Sequence, residues 1–375
     1  MLTRAHWSFL ALVTATAIWL VFLRAAPTPA ASNGPSPALG KHVFRQRLIA
    51  VDIDNAQKVL RMASIVDDKA RWSGGTDVLV QTGDIVDRGA HAYDVYKMMQ
   101  RLRGEAHTAG GKVVSILGNH EVMNAIGDWR YVTQSDIKRF GSADVRQRDL
   151  SVEGWLGQEW IANYSSTALE AISPYANSPT YSFTHGSLRP SFPHLLPYPD
   201  MINQLGRSLL SRALTPPLAA PYPPNPYSGL PKGSSDAELE LYASGGPYWW
   251  RGLAEVEDEK TVCAWAKELQ EKIGARRIIG GHTPNFERIV HRCNASIIII
   301  DTGISSAYGG VLSALEIVYT LTPIASPSHD HRQDPLLLQV AEPLVGERYV
   351  EREEVHAIYE KRRRTIAVVE REIVI

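Results

Sequence analysis

Residues 78–89 read VLVQTGDIVDRG, a short apolar run that ends at a glycine and is followed at once by charged side chains. Residues 112–121 repeat this arrangement as KVVSILGNHE. Short apolar runs of this kind are typical of strands, and the four-isoleucine run at residues 297–300 is apolar on both faces, as a central strand is. We therefore predict an α/β fold whose polar residues gather at the carboxyl ends of its strands, where open α/β sheets place their sites.

The same pattern extends outward in both directions along the chain. Apolar residues at helical spacing predict helices, and short apolar runs that stop at glycine or polar residues predict strands. The predicted helices cover residues 55–67 and 92–102, and the further strands cover residues 47–51, 181–184, 277–279, 297–300, 348–359 and 365–374, with a turn at residues 360–364.

Composition excludes several classes of protein. The chain has 375 residues, of which 44% are hydrophobic and 21% charged, as in globular proteins. The formal net charge of −1 provides no overall attraction to nucleic acid, so we expect no nucleic-acid partner. Two cysteines are too few for a disulfide scaffold or a four-cysteine zinc site. Cys263 and Cys293 are compatible with a disulfide and equally with two buried thiols.

The amino-terminal region differs from the rest of the chain. Residues 7–23 (WSFLALVTATAIWLVFL) carry no charge and are at the short end of the length that spans a bilayer. We predict a signal anchor over residues 1–24, with a cleaved signal peptide as the alternative. A flexible linker follows over residues 25–40, and one domain occupies residues 41–375. We expect this domain in the secretory pathway, either lumenal or extracellular on a single-pass anchor or secreted after cleavage.

Two further features belong to this predicted domain. Asn163 and Asn294 each begin an Asn-X-Ser sequon, which is a glycosylation acceptor in the secretory pathway. Residues 215–232 contain seven prolines, which exclude a regular helix or a central strand. We interpret them as a surface loop within an insert near residues 190–248.

Four polar clusters follow four predicted strands, and they contain one aspartate, one asparagine and two histidines that suit a divalent cation. A carboxylate can bridge two cations, while neutral imidazole and amide ligands leave the net positive charge that a phosphate ester requires. The residues therefore predict a metal site that activates water against a phosphate ester. The four clusters are residues 83–89, 118–121, 185–186 and 281–283.

In this order and at this spacing, the clusters resemble those of the calcineurin-like metallophosphoesterase superfamily. The GDxxDRG and GNHE forms are similar to its phosphoprotein phosphatase branch. Residues 246–252 (GPYWWRG), 281–284 (GHTP) and 301–305 (DTGIS) most resemble the Shewanella-like protein phosphatases. The resemblance covers about residues 47–320. It implies a sandwich of two mixed β-sheets flanked by helices, and a phosphatase acting on phosphate monoesters, including phosphoproteins.

The resemblance also implies a role for each metal-binding residue. Asp84 is expected to bridge two divalent cations, and Asn119, His185 and His282 are expected to complete the second site. Manganese, iron and zinc all suit these ligands.

Catalytic and substrate-binding roles follow in the same way. His120 is expected to protonate the leaving oxygen and Asp87 to orient His120, although Asp87 is also placed to cap the following helix. Arg88 and Arg251 are expected to bind phosphate oxygens, although Arg251 follows two tryptophans on which it could stack. Structural roles are predicted for Glu121 and Asp301.

One family motif, GDxHG, which supplies an aspartate and a histidine to the first metal, is missing after the first predicted strand. Either the coding sequence contains an error there, or the loss is real, or Asp52 and Asp54 take the two places. The first site is therefore predicted to be filled by substitutes or to be empty. A membrane-tethered pseudophosphatase that binds phosphate is one alternative function, and hydrolysis of nucleotides, pyrophosphate or phosphodiesters on the same fold is the other. The sequence predicts no oligomeric state.

Overall fold

The computed structural model describes residues 42–49, 53–175, 177–215, 229–324 and 346–375. The apolar segment 7–23, the linker, Asp52 and most of the proline-rich stretch lie outside the described residues. Within those ranges, no helix is long and apolar enough to span a bilayer. The predictions of an anchor, a linker and a proline-rich loop therefore remain predictions.

The strands of the described residues form two mixed sheets flanked by helices, which confirms the predicted α/β sandwich. The strands are β1 (His42–Ile49), β2 (Val78–Gln81), β3 (Lys112–Ile116), β4 (Tyr164–Ser165), β5 (Thr167–Ala171), β6 (Thr180–Thr184), β7 (Arg277–Gly280), β8 (Val290–Arg292), β9 (Ile297–Ile299), β10 (Ser313–Pro323), β11 (Arg348–Tyr359) and β12 (Arg362–Val374).

The larger sheet has the strand order β12-β11-β10-β1-β2-β3-β4, and the smaller one has the order β5-β6-β7-β9-β8. Strands β1 to β4 are parallel to one another, as are β6, β7 and β9. The helices are α1 (Ile53–Met62), α2 (Ala92–Thr108), α3 (Asn119–Ala125), α4 (Gln134–Phe140), α5 (Ala143–Leu150), α6 (Trp155–Asn163), α7 (Asp200–Ala213), α8 (Asp236–Tyr242), α9 (Gly252–Glu255) and α10 (Glu259–Ile273).

Strand β9 is buried on both faces, which explains why its sequence is an uninterrupted run of isoleucines. Ile297 and Ile299 belong to the core that includes the helices, whereas Ile298 and Ile300 belong to a second core between the two sheets. Successive side chains of a strand point to opposite faces. A strand that is buried on both faces therefore requires apolar residues at every position, as the sequence predicted.

Several element boundaries differ from the sequence prediction. Helix α2 continues for six residues past the predicted end at Leu102, because Ala106 remains buried on the same helical face. The basic run predicted as a turn contributes Arg362, Arg363 and Arg364 to β12, which pairs with β11 up to Tyr359. The insert near residues 190–248 contains α7 and α8 in addition to its loops. Cys263 of α10 forms a disulfide with Cys293, which decides between the two predicted thiol states.

A buried network of charged side chains joins the two sheets. Glu353 of β11 accepts hydrogen bonds from Arg277 at 2.6 Å, from Arg276 at 3.2 Å and from the Tyr181 hydroxyl at 3.1 Å. Arg276 also contacts Glu351 at 2.8 Å. The Glu353 side chain is fully buried, so water does not screen its charge. Arginines at the smaller sheet therefore fix the position of β11 in the larger sheet.

We predict that Glu353→Ala lowers the free energy of unfolding by roughly 3–5 kcal/mol, because it leaves Arg277 buried without its counter-charge. The matched control is Glu372→Ala, which removes an ion pair with Arg348 whose two side chains are about 60% exposed. That change is expected to cost less than about 1 kcal/mol. Urea denaturation of both variants provides the comparison, and equal losses would contradict the structural role of Glu353.

Candidate metal centre

Five strands end around one cleft at the edge where the two sheets meet. Strands β2 and β3 of the larger sheet and β6, β7 and β9 of the smaller one are each followed, within three residues, by a side chain that lines it. The cleft encloses about 270 Å³. All eight residues predicted to form the site line it, and these are Asp84, Asp87, Arg88, Asn119, His120, His185, Arg251 and His282.

His185 is at the centre of the predicted ligand set. Its Nδ1 lies 2.8 Å from the carbonyl oxygen of Thr82, which fixes the ring. Its Nε2 lies 2.9 Å from Asn119 Oδ1, 3.1 Å from His282 Nδ1 and 3.2 Å from Asp84 Oδ2. The side chains therefore bring one ligand atom each to a common point.

These four atoms can coordinate a divalent cation more completely than they can hydrogen-bond to one another. Nδ1–H of His185 donates to the Thr82 carbonyl, so Nε2 presents a lone pair whenever the ring is neutral, and this lone pair faces those of two oxygens and the second imidazole. A single proton on Nε2 cannot bridge all three neighbours, whereas a cation between them accepts all four lone pairs. His282 also has a buried Nε2 atom with no hydrogen-bond partner among the described residues.

The charges around this point favour the protonation states in which Asp84 and His282 bind a cation. Burial alone would raise the pKa of Asp84, but positive charge on the imidazoles of His185 and His120 outweighs burial and holds that pKa well below its usual range. Burial disfavours the His185 imidazolium, but Asp84 outweighs it and raises the pKa of His185, so a cation would displace a proton from this ring. Burial, followed by the adjacent His185, lowers the pKa of His282 to about 3. An ionised carboxylate and a neutral imidazole are the forms that bind metals.

Backbone strain is concentrated at the same residues. Asp84, Asp87, Arg88 and His282 all have φ between 56° and 77°, the left-handed region that non-glycine residues seldom occupy. Such strain persists only where the surroundings enforce it, and it clusters at functional sites. Gly118 permits the close approach, because a Cβ atom at this position would lie 2.1 Å from Asp84 Oδ1.

Glu121 holds this strained segment in place. Its buried carboxylate accepts hydrogen bonds from the backbone N–H groups of Asp84, Ile85 and Gly118 at 2.6–2.8 Å, and from the Tyr96 hydroxyl at 2.8 Å. These bonds connect the loop after β2 to the start of α3. The contacts agree with the structural role predicted for Glu121.

His120 lies beside the ligand set and has two charged neighbours. Its Nδ1 is 2.6 Å from Asp87 Oδ2, and Arg88 Nη1 lies 2.9 Å from its Nε2. Burial disfavours the imidazolium, but the carboxylates of Asp84 and Asp87 outweigh it and raise the pKa of His120. Asp87 lies well before the start of α2 at Ala92, so it does not cap that helix.

Arginine and aromatic side chains form the walls of the cleft. The Arg88 guanidinium lies 4.4 Å from the ring centre of Tyr131 and 5.1 Å from that of Tyr308. Arg251 donates to the carbonyl oxygen of His282 at 2.8 Å, and Trp249 also lines the cleft. None of these three aromatic residues was predicted as a site residue. Tyr131 and Tyr308 lie in loops that no motif marks, whereas Trp249 belongs to the GPYWWRG stretch, where only Arg251 was predicted to bind phosphate.

The described residues supply only Asp84 to the predicted first metal site. Asp54 lies exposed in the first turn of α1 and does not line the cleft, and Asp52 lies outside the described residues. Asp301 lines the cleft as well as bracing its loop, since its Oδ1 accepts the backbone N–H of Gly303 at 2.9 Å. Burial is the main reason that the pKa of Asp301 is raised.

Comparison with known proteins identifies the family of the chain. A model of the calcineurin-like phosphoesterase family matches residues 52–286. An uncharacterized protein of Schizosaccharomyces pombe is 34% identical over 271 residues, which cover 71% of this chain and 74% of that protein. Shewanella-like protein phosphatase 2 of Arabidopsis thaliana is 27% identical over 306 residues, which cover 72% and 75% of the two chains.

Among solved structures, the chain is similar to the cold-active protein-tyrosine phosphatase of a psychrophilic Shewanella species. The TM-score is 0.60 at 21% identity, and the match covers 87% of this chain and 81% of that one. At this identity, the similarity concerns the fold.

We predict that Mn²⁺ raises the melting temperature of the protein and that His282→Ala removes most of this increase. A cation at 100 times its Kd stabilises the native state by about 2.7 kcal/mol, and the variant lacks one of the four ligands. His291→Ala is the matched control, because His291 is exposed and lies outside the cleft. Thermal unfolding with and without Mn²⁺ tests the prediction. An equal increase in the wild type and both variants would contradict a cation site at His282.

Proposed function

The chain belongs to the calcineurin-like phosphoesterases and is a hydrolase of phosphoric ester bonds, and from this premise we propose that it is a metal-dependent phosphatase of phosphate monoesters. The family match and the Shewanella-like relatives confirm the resemblance predicted from the motifs. The single observation that carries the proposal is the convergence of Asp84, His185 and His282, whose ligand atoms all lie within 4.8 Å of one another.

We propose that these three residues and Asn119 hold one divalent cation, and that Asp84 is the shared ligand of a second. Manganese, iron and zinc are the candidates. The chemistry supplied by a bound cation at this position is Lewis acidity toward a phosphate oxygen and the attacking water. The side chains of the described residues support one such site. The cation count therefore depends on the residues that replace the missing GDxHG motif.

The other side chains of the cleft bind the phosphate and supply the proton for the leaving group. Arg88 and Arg251 present planar donor groups that match the unbridged oxygens of a phosphate. When water attacks phosphorus and the ester bond breaks, His120 gives its Nε2 proton to the leaving oxygen. Asp87 then keeps the neutral ring in place through the Nδ1–H bond.

Arg88 has two roles in this scheme. In the structure it donates to His120 Nε2, so that nitrogen carries no proton in this arrangement. A bound phosphate provides oxygens that accept from both Arg88 and a protonated His120. Substrate binding is therefore expected to draw Arg88 away from the ring and to leave the Nε2 proton facing the leaving group.

We favour phosphotyrosine proteins as the substrate class within the phosphate monoesters. Tyr131 and Tyr308 flank Arg88, and both residues are about 40% exposed at the rim of the cleft. Aromatic walls of this kind provide stacking surfaces for a phenyl ester. The fold neighbour from Shewanella is a protein-tyrosine phosphatase by name, which supports the same choice.

The test of the proposed function is turnover of a phosphotyrosine peptide by the full-length chain with added Mn²⁺. His120→Asn is expected to lower kcat by about 10²–10⁴-fold, which is the usual contribution of general acid catalysis. His107→Asn is the matched control, because His107 is exposed near the end of α2. No turnover by a folded wild type that still binds phosphate would instead support the pseudophosphatase alternative. Turnover of nucleotides or diesters in preference to the peptide would support the other alternative.

We also propose that the protein enters the secretory pathway, with residues 7–23 as its membrane anchor. The Cys263–Cys293 disulfide supports this proposal, because disulfides persist in oxidising compartments. Asn163 and Asn294 are both exposed, as glycosylation acceptors must be.

In eukaryotic cells, we predict that the chain carries N-linked glycans. Treatment with an N-glycosidase is expected to increase its gel mobility, and the double change Asn163→Gln and Asn294→Gln is expected to abolish that increase. Retention in the membrane pellet after alkaline extraction would support the anchor, and release would support a cleaved signal peptide. A chain with unmodified sequons and free thiols would contradict the proposed compartment.

A further inference from the structure

A chain of buried side chains extends from His120 into the helical layer. Asp87 bonds His120 through Oδ2, and its other oxygen, Oδ1, accepts from Asn124 Nδ2 at 3.0 Å. Asn124 Oδ1 in turn accepts from Arg146 Nη2 at 2.9 Å. Arg146 is paired with Asp136, whose Oδ2 accepts from Nε at 2.8 Å. Four consecutive contacts therefore connect an ion pair between α4 and α5 to the proposed proton donor.

The orientation of the Asn124 amide in this chain is fixed by its neighbours. A guanidinium can only donate and an ionised carboxylate can only accept, so Oδ1 must face Arg146 and Nδ2 must face Asp87. The second hydrogen of Nδ2 bonds the backbone carbonyl of His120 at 2.9 Å. Asn124 therefore holds both the carboxylate partner of His120 and the backbone that carries the imidazole.

The Arg146–Asp136 pair is a costly arrangement of charged groups in the core, although the Arg146 guanidinium also lies over the rings of Trp129 and Phe140, at 4.5 and 5.4 Å. Both side chains are fully buried. The free-energy cost of removing two charges from water commonly offsets the attraction between them. Arg146 Nη1 and Asp136 Oδ1 are also buried without a hydrogen-bond partner among the described residues. Apolar side chains of similar volume would avoid these penalties. The pair therefore points to a positioning role.

We propose that Asn124 and Arg146 are positioning residues for proton transfer from His120 to the leaving group. Arg146 fixes the Asn124 amide, the amide holds Asp87, and Asp87 sets the imidazole so that its Nε2 faces the cleft. The inference rests on the proposed function, since it concerns the same reaction. Neither residue lines the cleft, so both act through Asp87.

This role predicts a dependence on the leaving group. An ester of a poor leaving group, such as phenyl phosphate, requires a proton as its bond to phosphorus breaks, whereas 4-nitrophenyl phosphate releases a more stable anion and requires it far less. Loss of His120 positioning should therefore slow the first substrate selectively. A general disturbance of the fold or of the cation site should slow both substrates alike.

The experiment measures kcat for both substrates in the full-length wild type and in Asn124→Ala and Arg146→Met. We expect each variant to lower kcat by about tenfold or more for phenyl phosphate and by less than about threefold for 4-nitrophenyl phosphate, as for a partly lost general acid. Arg103→Met is the matched control. It removes a mostly buried ion pair with Glu159 between α2 and α6, away from the cleft, and should leave the ratio of the two rates unchanged.

A double-mutant cycle with His120→Asn keeps the test decisive if Arg146→Met folds poorly. In the His120→Asn background, Asn124→Ala should cause no further loss with phenyl phosphate, because the group that it positions is already absent. Equal losses for both substrates, or additive losses in the double variant, would overturn the inference. If His120→Asn itself shows no selectivity between the substrates, the proposed role of His120 fails instead.

Discussion

The dominant physical constraint in this protein is the crowding of lone pairs around His185. Three ligand atoms lie within 3.2 Å of His185 Nε2, and they are Asn119 Oδ1, Asp84 Oδ2 and His282 Nδ1. Like lone pairs at this distance repel one another unless a positive charge lies between them. The strained backbone at Asp84 and His282 and the close approach at Gly118 are all consequences of bringing these ligands together.

The two-sheet architecture is what makes this crowding possible. Parallel strands deliver their carboxyl ends to one edge, and the cleft forms where the edges of two such sheets meet. The larger sheet contributes Asp84 and Asn119, and the smaller one contributes His185 and His282. Neither sheet holds a complete ligand set by itself. Contacts that fix one sheet against the other, such as Glu353 with Arg277, therefore also keep the four proposed ligands together.

Local sequence was sufficient to predict the strands and the residues that follow them, because a strand buried on both faces and a glycine turn each leave a local pattern. Local sequence did not predict the contacts between loops that are distant along the chain. Tyr131 and Tyr308 meet at Arg88 from loops 177 positions apart, and no motif marks either of them. Asn124 was detectable in principle, since it lies one helical turn after His120, but its bond to Asp87 depends on the tertiary fold.

The most direct test of this account is anomalous diffraction at the zinc absorption edge from crystals of the protein soaked in Zn²⁺. We expect a peak between Asp84, Asn119, His185 and His282, at about 2.0–2.2 Å from the ligand atoms. A second peak on the other side of Asp84 would show that the first site is also filled. A zinc-soaked crystal with an open cleft and no peak among those four residues would contradict a cation site at these ligands.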